Sequence, residues 1–142
     1  MRPKSIVMFE RLFLASLALG LLNFLLSYQD AAALVANDTG AQKLGLGGGF
    51  LIAITAVSTA VYLLLWFLVA RMASTIAKWV LVVFVGLGVL AALPALTGAW
   101  SVTLALSLVV YALEVLALVY LFRPDAKAWL GGTEQADEPS AD

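Results

Sequence analysis

The sequence predicts an all-α membrane protein: four transmembrane helices in an antiparallel bundle, with short loops and both termini on the cytoplasmic side. Three observations lead there. Of the 142 residues, 63% are hydrophobic and 12% are charged, about half the charge of an ordinary soluble domain. The apolar residues fall into runs of membrane-spanning length. The basic residues fall almost wholly on one side of those runs.

Charged residues mark where each span must end. Eighteen uncharged residues separate Arg11 from Asp30, and 27 separate Lys43 from Arg71. Between Lys78 and Arg123 lie 44 residues, broken only by Glu114. A single helix of that length would reach ~66 Å, more than twice a ~30 Å hydrocarbon core, so the chain must turn back. Pro94 and Gly98 supply the turn. The expected spans are therefore about 8–28, 50–70, 77–96 and 100–122. Each is helical because lipid leaves the backbone no other partner for its hydrogen bonds.

Orientation follows from the short connections. Arg2, Lys4 and Arg11 precede the first span, Arg71 and Lys78 join the second to the third, and Arg123 and Lys127 follow the fourth. Only Lys43 falls on the other side. This places both termini in the cytoplasm, with a bacterial inner membrane as the expected setting. Tyr28, Trp79, Trp100 and Tyr120 lie near span ends, as interfacial rings prefer. Arg2 and Lys4 before an apolar run also echo a signal peptide, with Ala31-Ala32-Ala33 as the small-residue site. Glu10 and Arg11 interrupt that pattern, so the first span is expected to be retained.

The connections carry little chemistry. Gly45-Leu-Gly-Gly-Gly lacks the Lys-Ser/Thr of a phosphate loop and reads as a flexible entry to the second span. Residues 124–130 are expected to form an interfacial helix, with Pro124 in its first turn and Trp129 and Leu130 dipping into lipid. Together with the spans they make one domain, 1–130. Residues 131–142 carry Glu134, Asp137, Glu138 and Asp142 without a basic residue, and read as a disordered acidic tail.

No cysteine and no histidine occur, which removes thiolate chemistry, His-ligated metals and His-based triads. No catalytic, cofactor or metal site is expected, and the chain is not read as an enzyme. Its charge of −1 gives no reason to expect nucleic acid.

Glu114 stands out because a charged group at mid-membrane costs about 2.5–3.5 kcal/mol on insertion scales. Thr103, Ser107, Tyr111 and Glu114 follow helical spacing and share one face. Ser16, Gly20, Asn23 and Ser27 form a similar stripe in the first span, and Thr55, Ser58, Thr59 and Tyr62 in the second. The third span offers Gly86 and Gly88. Such faces let membrane helices approach and bond to one another. Glu114, Tyr111, Ser107, Asn23 and Tyr62 are thus the expected polar membrane core, with Asn23 the expected amide partner of Glu114.

Two functions fit. The first is a structural or accessory role as a homo-oligomer or beside a membrane-protein partner. The second is a proton-coupled small-molecule transporter or ligand carrier centred on Glu114. The segments Met8 to Leu17, Arg71, Lys78-Trp79-Val80 and Phe122 to Leu130 resemble a family of small four-span bacterial inner-membrane proteins of unknown function. That resemblance implies the membrane placement and supplies no activity. Small multidrug transporters also carry a membrane Glu, but in their first span, where this chain has only Glu10 at the edge beside Arg11.

Overall fold

Leu, Val, Ala and Phe runs without an internal proline close every backbone hydrogen bond within the segment, and lipid demands that closure. A computed structural model describes residues 2–131, and all its regular elements are helical. They are α1 (Lys4–Asn37), α2 (Thr39–Lys43), α3 (Gly48–Ala70), α4 (Thr75–Ala92), α5 (Val102–Leu121) and α6 (Pro124–Gly131). A 3-10 turn, Leu93–Thr97, joins α4 to α5. Helices α1, α3, α4 and α5 are each long and apolar enough to cross a bilayer. The chain is a multi-pass membrane protein built as a helix bundle.

Local chemistry sets the helix ends. Asp38 adopts an extended conformation that stops α1, and its carboxylate caps α2 by accepting the Ala41 N–H at 2.7 Å. Gly45, at φ +67°, then closes α2 in a Schellman turn: its N–H reaches Gln42 and the Leu46 N–H reaches Ala41. Ser74 and Ser101 cap α4 and α5 through the Ala77 and Leu104 N–H groups. At 34 residues, α1 is longer than the span expected inside it. It runs ~51 Å and outreaches the hydrocarbon. Ala31-Ala32-Ala33 continues it without a break.

The tightly packed core lies toward one end of the bundle. Ile6, Phe9 and Phe13 of α1 meet Leu65 and Val69 of α3, Leu81 and Val85 of α4, and Ala117 and Leu121 of α5. Phe9 stacks on Phe13, whose ring also meets Tyr62 at 6.0 Å between centroids. Nearer the 3-10 turn the helices expose most of their side chains.

The last helix, α6, folds onto this core. Asp125 accepts the Ser5 hydroxyl at 2.7 Å and the Ser5 backbone N–H at 3.2 Å, so it caps the first turn of α1. The Thr75 hydroxyl donates to the Leu130 carbonyl at 3.2 Å. These two links fix the rotation of α6. Leu130 is consequently buried and Trp129 packs against the core, where the sequence reading had both dipping into lipid. The acidic tail expected over 131–142 lies outside the described residues, apart from Gly131, which closes α6.

The Ser5 hydroxyl's hydrogen bond holds the Asp125 carboxyl below the usual carboxylate range, helped by backbone N–H groups of Ser5, Ala126 and Asp125 itself. Because the folded value is depressed, the link stabilises fully above the ordinary carboxylate value of about 3.9 and weakens as pH falls through the lowered one. Amide protection in α6 is expected to hold from neutral pH to about pH 4 and then decline. Asp125→Asn removes that pH dependence, as hydrogen exchange across residues 124–131 will read.

Candidate functional site

The hydroxyl and amide stripes meet around a cavity of about 480 Å³. Ser16, Gly20 and Asn23 line it from α1, Thr55, Ser58, Thr59 and Tyr62 from α3, and Ser107, Tyr111 and Glu114 from α5. Glu114, Tyr111, Ser107, Asn23 and Tyr62 therefore share one wall system. Gly88 is the contribution of α4. It leaves room for the Tyr111 ring, since a methyl there would stand 3.3 Å from Cε1. Thr103, placed on the same face by spacing, instead meets the Ser101 hydroxyl at 2.9 Å.

One hydrogen-bond chain orients the amide. Ser107 spends its proton on the Thr103 carbonyl at 2.9 Å, so its oxygen is left to accept from Asn23 Nδ2 at 2.8 Å. That bond fixes which way the Asn23 amide points. It also corrects the expected pairing: Asn23 bonds across the bundle to Ser107, not to Glu114. The two residues lie seven positions, about two helical turns, apart on α5, and Asn23 meets the nearer one. Its other end, Oδ1, is buried with no donor.

Glu114 is 7% exposed and is the one acid among the lining residues. Among the described residues its carboxylate makes no ion pair and no side-chain hydrogen bond. Arg71 is not drawn inward to it but lies 3.8 Å from Glu10. Arg123 lies over the Tyr120 ring at 4.7 Å. The wall thus presents one acceptor without a donor, the Glu114 carboxylate, beside two tyrosine rings, while Asn23 Oδ1 is shut inside the wall.

The cavity has an opening. Leu21 on α1 and Ile54 and Ser58 on α3 line it and are exposed. These two helices touch on either side of that gap. Phe13 meets Tyr62 at one end, and Tyr28 and Ala32 pack on Gly48 at the other. A methyl at Gly48 would fall 2.5 Å from the Tyr28 hydroxyl, so a larger residue there would have to push that side chain aside. The gap between the contacts is a window on the flank of the bundle.

Sequence reasoning did not find the cluster at the other end of the helices. Glu10 pairs with Arg2 at 2.6 Å as well as with Arg71. Arg2 precedes α1 and Arg71 follows α3, so no helical spacing announces either pair. No known protein family, no curated protein and no solved structure matches the chain.

Removing the Ser107 hydroxyl leaves Asn23 Nδ2 without its acceptor. Interhelical bonds of this kind are worth about 0.6 kcal/mol on average and up to about 1.7. Ser107→Ala is expected to lower stability by that range in detergent-titration unfolding. Ser58→Ala, on the exposed rim, is expected to change it by less than about 0.5 kcal/mol.

Proposed function

We propose that this protein carries a small amphiphilic ammonium in the Glu114 cavity and exchanges it for a proton on that carboxylate. The observation that carries the reading is the unanswered Glu114 carboxylate in a cavity lined otherwise by hydroxyls, two tyrosine rings and apolar side chains such as Leu17 and Val110. An ammonium supplies a positive charge and N–H donors to that carboxylate. Tyr62 and Tyr111 offer faces for a cation or an apolar body. Entry through the flank suits a molecule that partitions into lipid before it binds.

The membrane arrangement belongs to the same proposal. Four spans run antiparallel with both termini in the cytoplasm of a bacterium, across its inner membrane. In support, Gly20 lies beside Val110 and Asn23 meets Ser107, so residue numbers fall along α5 as they rise along α1, and α6 beyond α5 brings Asp125 to Ser5. Seven of the eight basic residues flank the ends that those contacts draw together, as the positive-inside rule requires. Kinship with the small four-span bacterial inner-membrane proteins rests on the flank motifs already quoted.

A second reading, an accessory subunit in an oligomer or larger membrane assembly, draws support from α3. Its buried residues, Leu65, Val69 and Ala70, all lie in its last third. The first two thirds leave a wide apolar edge for a second copy or another membrane helix.

Benzylammonium is a suitable probe, with a primary ammonium and one ring. The full chain in detergent is expected to bind it saturably by calorimetry, and Glu114→Gln to weaken binding by at least about tenfold, the loss of one charge-assisted contact. In proteoliposomes an outward benzylammonium gradient is expected to drive proton uptake, which Glu114→Gln abolishes. Binding unchanged by Glu114→Gln removes the carboxylate from the site. Binding without proton movement leaves a receptor and removes the exchange step.

A further inference from the structure

A second cavity, of about 360 Å³, lies where α4, α5 and α6 meet, outside the Glu114 site. Thr75, Lys78, Trp79, Phe122, Lys127 and Leu130 line it. Lys78 is its central group. It is 7% exposed, and its ammonium lies 5.2 Å from the Trp79 ring and 4.9 Å from the Phe122 ring. Those faces attract a cation but give its N–H groups no lone pair. Among the described residues Lys78 has no side-chain hydrogen bond and no ion pair. No described carboxylate lines the cavity.

The Lys78 stem is buried while its ammonium opens onto the cavity, so a positive charge without a counter-ion faces that space. Lys127, exposed on α6, lines the same cavity and doubles its positive charge. Trp79 and Phe122 are both exposed at its mouth, next to exposed Ile76, so an apolar platform adjoins the cationic pocket. Thr75 is already committed to the Leu130 carbonyl. That bond closes the wall and does not supply the ligand.

We propose that this pocket is a binding site for a phosphate group, held between Lys78 and Lys127, with the adjoining aromatic edge taking the acyl chains of an anionic phospholipid. The shared chemistry is a phosphate oxyanion answering two ammonium groups, which lysine binds as a point charge. Basic pockets between membrane helices recognise lipid head groups in this way. Bound there, the phosphate would tie α6 to the start of α4 and strengthen the packing of α6 on the core.

The test uses the full chain in detergent. Native mass spectrometry compares retention of phosphatidylglycerol with zwitterionic phosphatidylcholine, and phosphorus NMR follows the line width of inorganic phosphate. Phosphatidylglycerol is expected to be retained over phosphatidylcholine. Lys78→Met, which keeps the buried stem, is expected to reduce that retention by about tenfold, one charge-assisted contact. Lys127→Met, at an exposed position, is expected to reduce it by a smaller factor, and decides the matter if Lys78→Met does not fold. Inorganic phosphate broadened with the same lysine dependence, and no preference among the lipids, would support the site with a soluble phosphate as its source. Equal retention of both lipids without broadening would overturn the proposal, as would binding indifferent to both substitutions. Binding that emerges only after removal of residues 132–142 would also overturn it, because the tail's carboxylates would then be the natural occupant.

Discussion

Along α1 and α5, small and hydroxylated side chains let two backbones lie close enough for Asn23 to reach Ser107, and α6, just past the end of α5, brings Asp125 to Ser5. In hydrocarbon there is no water to squeeze out, so helices associate through close packing and the few hydrogen bonds that packing permits. The seam between these two helices sets the positions of the other two. Around it Phe9, Phe13, Leu81 and Leu121 fill one end without exposure. Beyond Ser16 and Glu114 the filling stops, and apart from Asn23 and Ser107, which bond to each other, the polar residues face a space.

That change from packed core to cavity explains why Glu114 differs from a buried register pin. A pin would spend its oxygens on neighbouring donors. Here the neighbouring amide is committed to Ser107, and that hydroxyl to Thr103. The hydrogen bonds of the α1–α5 seam thus commit the Asn23 amide and the Ser107 hydroxyl to each other and to the backbone instead of to the carboxylate. Its acceptor capacity is thus left facing the cavity. The contacts on either side of the flank opening, Phe13 with Tyr62 and Tyr28 with Gly48, keep α1 and α3 joined while leaving the middle of their junction open.

Much of this was legible in the residues, for identifiable reasons. Charges are so costly in lipid that Arg11, Asp30, Lys43, Arg71, Lys78 and Arg123 bracket the spans by their positions alone. Helical spacing then put Ser107, Tyr111 and Glu114 on one face, and the cavity includes all three. The partner of Asn23 was not legible, because spacing fixes which residues share a face and says nothing of the axial offset between two helices. An offset of two turns decides between Glu114 and Ser107. The orientation of α6 was hidden for a similar reason. Its amphipathic pattern fits a lipid surface as well as a protein one, and only the bonds from Ser5 and Thr75 choose between them. Lys78 read as an ordinary flanking cation, since nothing local reveals that α6 covers it.

The central claim is that the Glu114 carboxyl can be reached from the bilayer through the gap between α1 and α3. Dicyclohexylcarbodiimide, which dissolves in lipid and adds to protonated carboxyls, tests this directly on the protein in liposomes. Peptide mapping by mass spectrometry is expected to find an adduct on Glu114, suppressed by excess benzylammonium. A water-soluble carbodiimide at the same concentration is expected to leave Glu114 unmodified. A Glu114 peptide unmodified by the lipid-soluble reagent, while Glu10 or Asp30 reacts, would contradict the account.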